Sequence, residues 1–204
     1  MNLLMCPVCR QQLSLNERTW RCENHHSYDV AKQGYVNLHV VQHKHSKNPV
    51  ATPESVQARR AFLSAGHYAP LQQAVVEKLR ELRIENLLDI GCGEGYYTDA
   101  MQTEVLQCVG VDIAKNAVQV AAKLNKNITW VVGTGATLPV LDGSIDMCTS
   151  LFSPIPKQEI LRVLKAEGYL MVVTPAPQHL YAMREALFEE VKPHEPQKFV
   201  EQLQ

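Results

Sequence analysis

The chain has 204 residues, a formal net charge of −1 and 46% hydrophobic residues. That length allows one large domain, or a standard domain with a small one attached, and the apolar fraction suffices for a packed core. No apolar run approaches the roughly 20 residues of a membrane span. The apolar start, Met1 to Met5, is too short and lacks the basic flank of a signal peptide. The expectation is therefore a cytoplasmic chain in a reducing compartment, with its six cysteines free of disulfides.

The first motif is "CPVCRQQLSLNERTWRCENHH", Cys6 to His26. Its spacing, Cys6-x2-Cys9-x12-Cys22-x3-His26, supplies thiolates and an imidazole in the number that suits tetrahedral zinc. The turn "CPVC" aims two sulfurs at one point. Thr19, Trp20 and Arg21 read as a short strand that delivers Cys22. His25 is a rival fourth ligand at x2 spacing, and His26 is preferred because x3 leaves room for a complete turn. In an intracellular chain such a cluster reads as a metal site before a disulfide. Four protein ligands leave no open position for water, so the site is expected to be structural. The remaining cysteines, Cys92, Cys108 and Cys148, lie in or beside apolar runs, where free cysteine behaves as a small hydrophobe.

A basic stretch follows. Between Ala31 and Arg60 stand Lys32, Lys44, Lys47, Arg59 and Arg60 against Glu54 alone, with His39, His43 and His45 among them. A solvated linker would account for the charge by itself. A surface that meets phosphate would also carry it, because lysine and arginine supply the sequence-independent part of nucleic-acid affinity.

From Gln57 the texture becomes periodic. "SVQARRAFLSAGHY" is predicted to be a helix stopping at Gly66, and "PLQQAVVEKLRELR" a second with Pro70 at its start. Leu71, Val75, Leu79 and Leu82 form its apolar stripe. Leu87, Leu88 and Ile90 make a buried strand. Strands are then predicted at Gln107–Val111, Ile128–Val132, Ile145–Leu151 and Tyr169–Thr174, with helices at Lys115–Leu124, Lys157–Leu164 and Gln178–Val191. Five strands alternating with helices imply a parallel sheet covered on both faces. Ligands of such sheets bind beyond the carboxyl ends of the strands.

The turn after the first of these strands is Asp89-x-Gly91-x-Gly93-x-Gly95. A dinucleotide fingerprint would need glycine where Tyr96 stands, and no Gly-Lys-Ser/Thr of a Walker loop follows. Alternate glycines behind an acidic strand end resemble motif I of the class I methyltransferases, which implies S-adenosylmethionine. Glycine there lets backbone approach the cofactor closely. Asp112, in "VGVDIAK", ends the second strand, where a carboxylate can accept ribose hydroxyls. "DGSIDM", Asp142 to Met147, resembles the run before strand four of the same superfamily.

A four-ligand zinc module ahead of such a domain resembles the bacterial 23S ribosomal RNA guanine-N1 methyltransferases. The likeness rests on "CPVC", the C-x3-H pair, "YDVAKQGYVNL", "QHK", "QARRAFLSAGHY", "LDIGCGEGYYT" and "TPAPQHL", spread over nearly the whole chain. It implies an α/β class I fold preceded by a small zinc module, and methyl transfer to N1 of a guanine in an rRNA hairpin loop. Zinc would be held by Cys6, Cys9, Cys22 and His26. Tyr68, Gly93, Glu94 and His179 would line the cofactor site, beside Gly91 and Asp112. The zinc module (residues 1–43) and a basic linker (44–56) would meet 23S rRNA, with Lys44, Lys47, Arg59 and Arg60 on its phosphates, and residues 57–204 would carry the chemistry. On a helix, neighbours such as Arg59 and Arg60 point about 100° apart, so at most one is expected to face RNA.

The target base must leave its stack to reach the methyl group, and its N1 proton needs an acceptor. "SPIP", Ser153 to Pro156, lies where related amino-methyltransferases grip substrate, but it lacks their Asn or Asp and names no base. The family runs on beyond strand five, so this chain is expected to be C-terminally short of its sheet's last strands. Neither a membrane association nor a required oligomer is implied, and a homodimer stays open. A small-molecule methyltransferase would have no need of the zinc module, and a non-catalytic RNA-binding protein could dispense with the missing strands.

Overall fold

The computed structural model describes residues 2–40, 51–201 and 203. Lys44, Lys47 and the "QHK" motif lie outside the described residues. Three short strands come first: β1 (Ser14–Asn16), β2 (Thr19–Arg21) and β3 (Ser27–Asp29), an antiparallel sheet with β2 in the middle. β4 (Tyr35–Asn37) follows, and then the helices α1 (Pro53–Ser64) and α2 (Ala69–Leu82). The alternating part runs β5 (Asn86–Ile90), α3 (Tyr96–Gln102), β6 (Gln107–Asp112), α4 (Lys115–Leu124), β7 (Thr129–Val132), β8 (Ile145–Leu151), α5 (Lys157–Val163) and β9 (Leu164–Val173). α6 (Tyr181–Leu187) and α7 (Gln197–Glu201) end the chain.

The main sheet has the order β4-β7-β6-β5-β8-β9, and every neighbouring pair is parallel. The order reverses direction at β5, which opens a crevice at its carboxyl end. The expected five strands are all present, and β4 adds a sixth. It joins the edge beside β7, with Val36 opposite Val131. The segment that follows the cysteine cluster thus reaches into the main sheet.

The two faces of the sheet are covered differently. On one, Val75 and Leu79 of α2, Tyr97 and Met101 of α3, and Val118 and Ala121 of α4 pack on Leu87, Cys108 and Trp130. On the other, Ile160 and Val163 of α5 share a buried cluster with Leu3, Leu4, Leu13, Trp20, Cys6 and Cys22, over Leu88, Ile90, Val109 and Val111. Backbone bonds seal this contact: Met5 N–H donates to the Pro139 carbonyl at 3.0 Å, and Leu141 N–H to the Leu3 carbonyl at 2.9 Å. The zinc segment therefore serves as a covering layer of the main sheet.

Three boundaries differ from the sequence reading. β9 begins at Leu164, five residues before the expected Tyr169, because Leu164 already pairs with Ile145 ahead of a register shift. α1 begins two residues before Ser55, where the expected helix opens, because Thr52 caps it: its side-chain oxygen accepts from Ser55 N–H at 3.2 Å, and Pro53 follows at the first turn. The helix expected over Gln178–Val191 shrinks to α6. None of its residues is buried, and Leu187 and Phe188 are exposed. A helix with no packed face has little beyond its own weak propensity to hold it.

Candidate functional site: a zinc cluster and two adjoining cavities

The ligand atoms of Cys6, Cys9, Cys22 and His26 all lie within 4.8 Å of one another. Cys9 Sγ is 3.6 Å from Cys22 Sγ, and His26 Nδ1 is 3.4 Å from Cys22 Sγ and 3.6 Å from Cys6 Sγ. Tetrahedral zinc with ordinary bond lengths sets sulfurs about 3.8 Å apart and sulfur and nitrogen about 3.6 Å apart. The donor set fits that ion. The turn after Cys22 brings His26 inward: His25 N–H donates to the Cys22 carbonyl and Cys22 N–H to the His26 carbonyl. His25 itself takes a left-handed conformation (φ 63°) and faces solvent. The backbone N–H of Gln11 leads the influences that draw the Cys9 thiol down to about 6, toward the thiolate a metal requires. Tyr28 Oη lies 3.3 Å from Cys6 Sγ and supports that ligand from outside.

At the carboxyl ends of β5 and β6 lies a cavity of about 680 Å³, lined among others by Gly91, Gly93, Glu94, Asp112, Phe152 and Ser153. Asp112 is anchored at both oxygens: Oδ2 accepts from Gly93 N–H at 2.9 Å and Oδ1 from Ala114 N–H at 2.7 Å. Each oxygen keeps a further lone pair for a ligand. Gly93 has φ +56°, and a Cβ built there meets no atom of the described residues within 4 Å, so among them the missing side chain leaves open space beside the cavity. Gly95 answers a different need. A Cβ on it would stand 2.7 Å from Trp130 Cη2, so this glycine lets α3 close on the sheet.

Glu94 is buried and accepts from Arg59 Nε at 3.2 Å. Arg59, half-exposed, lines both this cavity and a neighbour of about 580 Å³. Tyr68 and His179 line that second cavity, where Tyr68 Oη and His179 Nε2 are 2.6 Å apart. Phe152 forms part of both linings and stacks at 5.7 Å on His179. Its own φ of +57° is a strained conformation for a bulky residue, held where the two cavities meet. The "SPIP" turn is tied down as well. Ser153 Oγ donates to the Ile90 carbonyl at 2.6 Å and lies 2.8 Å from Ser150 Oγ, which occupies it structurally.

The structure thus brings Gly91, Gly93, Glu94 and Asp112 together in one cavity and Tyr68 and His179 in the next. Arg60 is exposed and belongs to neither. Arg59 turns to Glu94. Phe152 and Tyr97 were missed by sequence reasoning. Tyr97 stood inside the quoted "GYYT", but nothing in the pattern separates its buried ring from that of Tyr96.

Comparison with known proteins agrees with this geometry. Residues 4–47 match the zinc-ribbon family described as RlmA, N-terminal, and residues 88–172 match a methyltransferase domain family. A 23S rRNA (guanine(748)-N(1))-methyltransferase of Streptomyces fradiae is 36% identical over 98% of this chain and 73% of its own length. The chain belongs to the 23S rRNA guanine-N1 methyltransferase family. Another relative, a Micromonospora griseorubida protein provisionally named for the same chemistry, is 33% identical over 90% of this chain and 69% of its own. In fold, an S-adenosylmethionine-dependent methyltransferase from Thermotoga maritima superposes with a TM-score of 0.53, at 24% identity over 67% of each chain.

Membership makes S-adenosylmethionine the cofactor and zinc the metal. The residues suit both. The open space at Gly93 admits a close ligand, and the paired charges of Arg59 and Glu94 match a zwitterionic amino-acid tail. No helix among the described residues is long and apolar enough to cross a membrane.

Proposed function

We propose that this chain transfers the methyl group of S-adenosylmethionine to N1 of a guanine in a hairpin loop of 23S ribosomal RNA, in the cytoplasm. The observation that carries the reading is the likeness to a named guanine-N1 methyltransferase over 98% of the chain. The cofactor supplies a sulfonium methyl, open to in-line displacement by a ring nitrogen. The protein's part is chiefly positioning. Asp112 accepts the ribose hydroxyls through its remaining lone pairs. Gly91 and Gly93 admit the methionyl part, and Glu94 with Arg59 takes its charged end. Tyr68 and His179 border the place where the methyl group and the base meet. Residues 1–43, with the basic stretch 44–56, hold the RNA. There Lys44, Lys47 and Arg60 act on phosphates, and Arg59 can do so only by leaving Glu94.

The test is methylation of 23S rRNA with labelled cofactor. A methyl on guanine N1 blocks Watson–Crick pairing, so primer extension should stop one nucleotide short of a single guanine. Label incorporation without such a stop would place the methyl elsewhere and overturn the reading.

A further inference from the structure

One wall of the cofactor cavity is a turn. Residues 133–136 follow β7, and all four line the cavity that Asp112 also lines. The turn closes on itself: Ala136 N–H donates to Thr134 Oγ1 at 3.2 Å, and Thr137 N–H to the Thr134 carbonyl at 3.3 Å. Its placement depends on what holds its two ends. At the first, Gly133 N–H donates to the Asp112 carbonyl at 3.0 Å. At the second, Leu138 gives both of its backbone polar groups to α5. Its N–H donates to Glu159 Oε2 at 2.7 Å, and its carbonyl accepts from Arg162 Nη2 at 2.8 Å. Leu138 is fully buried, where unpaired backbone groups are costly.

Arg162 uses its whole guanidinium here. Nε and Nη2 donate to the two oxygens of Glu159 at 2.8 and 2.6 Å. Nη1 donates to the Val140 carbonyl at 2.8 Å and to Asp142 Oδ1 at 2.5 Å. With the Leu138 carbonyl these bonds occupy all the N–H groups a guanidinium has. Both side chains are largely buried. Burial would raise the Glu159 carboxyl, but Arg162 and the Leu138 N–H outweigh it and hold the group below its usual range, so the pair is ionised at neutral pH. A planar fork fixes direction as well as distance, and lysine does not reproduce it. Neither side chain lines the cofactor cavity, so the pair reaches it only through the turn. We propose that Glu159 and Arg162 are positioning residues for the adenosine end of S-adenosylmethionine, setting the turn at residues 133–136 against Asp112. Asp112 takes the ribose hydroxyls, and the turn anchored to its carbonyl walls the space next to the ribose. The inference rests on the methyl-transfer reading for its cofactor and adds two residues outside the cavity.

The decisive variant is Arg162→Lys in the zinc-loaded protein, which keeps the charge and removes the fork. Glu159→Gln, which keeps the shape and removes the charge, takes its place if the lysine variant does not fold. A pair that served only the fold would lower the melting temperature and leave the cofactor's affinity alone. Calorimetric titration is run with S-adenosylmethionine and with adenosine. The expected result is a loss of affinity by the same factor for both, about tenfold. In methyl transfer to rRNA, KM for S-adenosylmethionine should rise by that factor while kcat stays near wild type. A folded variant that binds both ligands as wild type does overturns the proposal. So does a loss confined to S-adenosylmethionine, because the adenosine end is then unaffected. If wild-type protein binds S-adenosylmethionine yet leaves guanine N1 unmethylated, the functional reading fails, and the two affinities still decide the positioning role.

Discussion

Asp89 stands at the end of β5 with 2% of its surface exposed. Both oxygens are used: Thr98 Oγ1 donates at 2.5 Å and Thr149 Oγ1 at 2.8 Å. In sequence it is the acidic residue that announces the glycine turn, and in the structure it ties β5 to α3 and β8. Burial raises its carboxyl to about 6, against the lowering effect of the two threonines. Between about pH 4 and 6 the folded chain therefore binds more protons at this site than the unfolded chain does. The stability it contributes falls as pH rises through that window and stays low above it. Asparagine has the same shape and no charge to lose. The stability of Asp89→Asn relative to wild type should improve by about 1 kcal/mol from about pH 5 to pH 7. Urea titrations of both proteins in zinc-containing buffer measure it. A difference that is flat with pH would show that Asp89 stays ionised throughout.

At the scale of elements, β4 shows what a pattern can hide. Tyr35 packs among the residues under α4, and Val36 packs on the opposite face with the zinc segment. Three residues thus stitch both layers to the sheet's edge. Truncating Tyr35 to alanine empties a buried aromatic site and should cost about 3–5 kcal/mol, read as a lowered urea midpoint with the metal still bound. A shift under 1 kcal/mol would mean the edge strand is dispensable. The sequence reading quoted this strand inside "YDVAKQGYVNL" only as part of a family likeness. A three-residue strand offers no periodicity to count, and its partner lies nearly a hundred residues away. The longer elements were legible because each repeats its own period: the stripe of α2 and the apolar runs of β5 and β8 sit as read. The three cysteine ligands were legible from spacing, since ligand chemistry restricts residue types so tightly, whereas spacing left His25 a rival to His26 that only the folded turn separates. The cavity-lining Phe152 and Tyr97 were not, because pocket walls are assembled from distant loops whose residues look like ordinary core. α6 was read too long for the opposite reason, with a helical pattern present but no layer to pack it.

The zinc cluster acts on the whole molecule through the layer it anchors. Cys6 and Cys22 are themselves members of the buried cluster that includes Leu88, Ile90, Val109 and Val111. Without metal the short strands β1 to β3 have little to hold them, since so small a segment folds on its ligands. Leu3, Leu4, Leu13 and Trp20 would then leave the sheet, at about 1.5–3 kcal/mol for each large apolar side chain that returns to water. The loss uncovers the same face of β5 and β6 whose carboxyl ends carry Asp112 and the glycine turn. A chelator should therefore do more than unfold an appendage. The melting temperature of the entire chain should drop by about 10 °C or more, in a single transition, and S-adenosylmethionine binding should weaken with it. Readding zinc should restore both. The check is calorimetric melting with and without chelator, beside cofactor titration under the same conditions. Two separate transitions, with the later one and the cofactor affinity untouched by metal removal, would show instead that the zinc layer and the catalytic sheet fold independently.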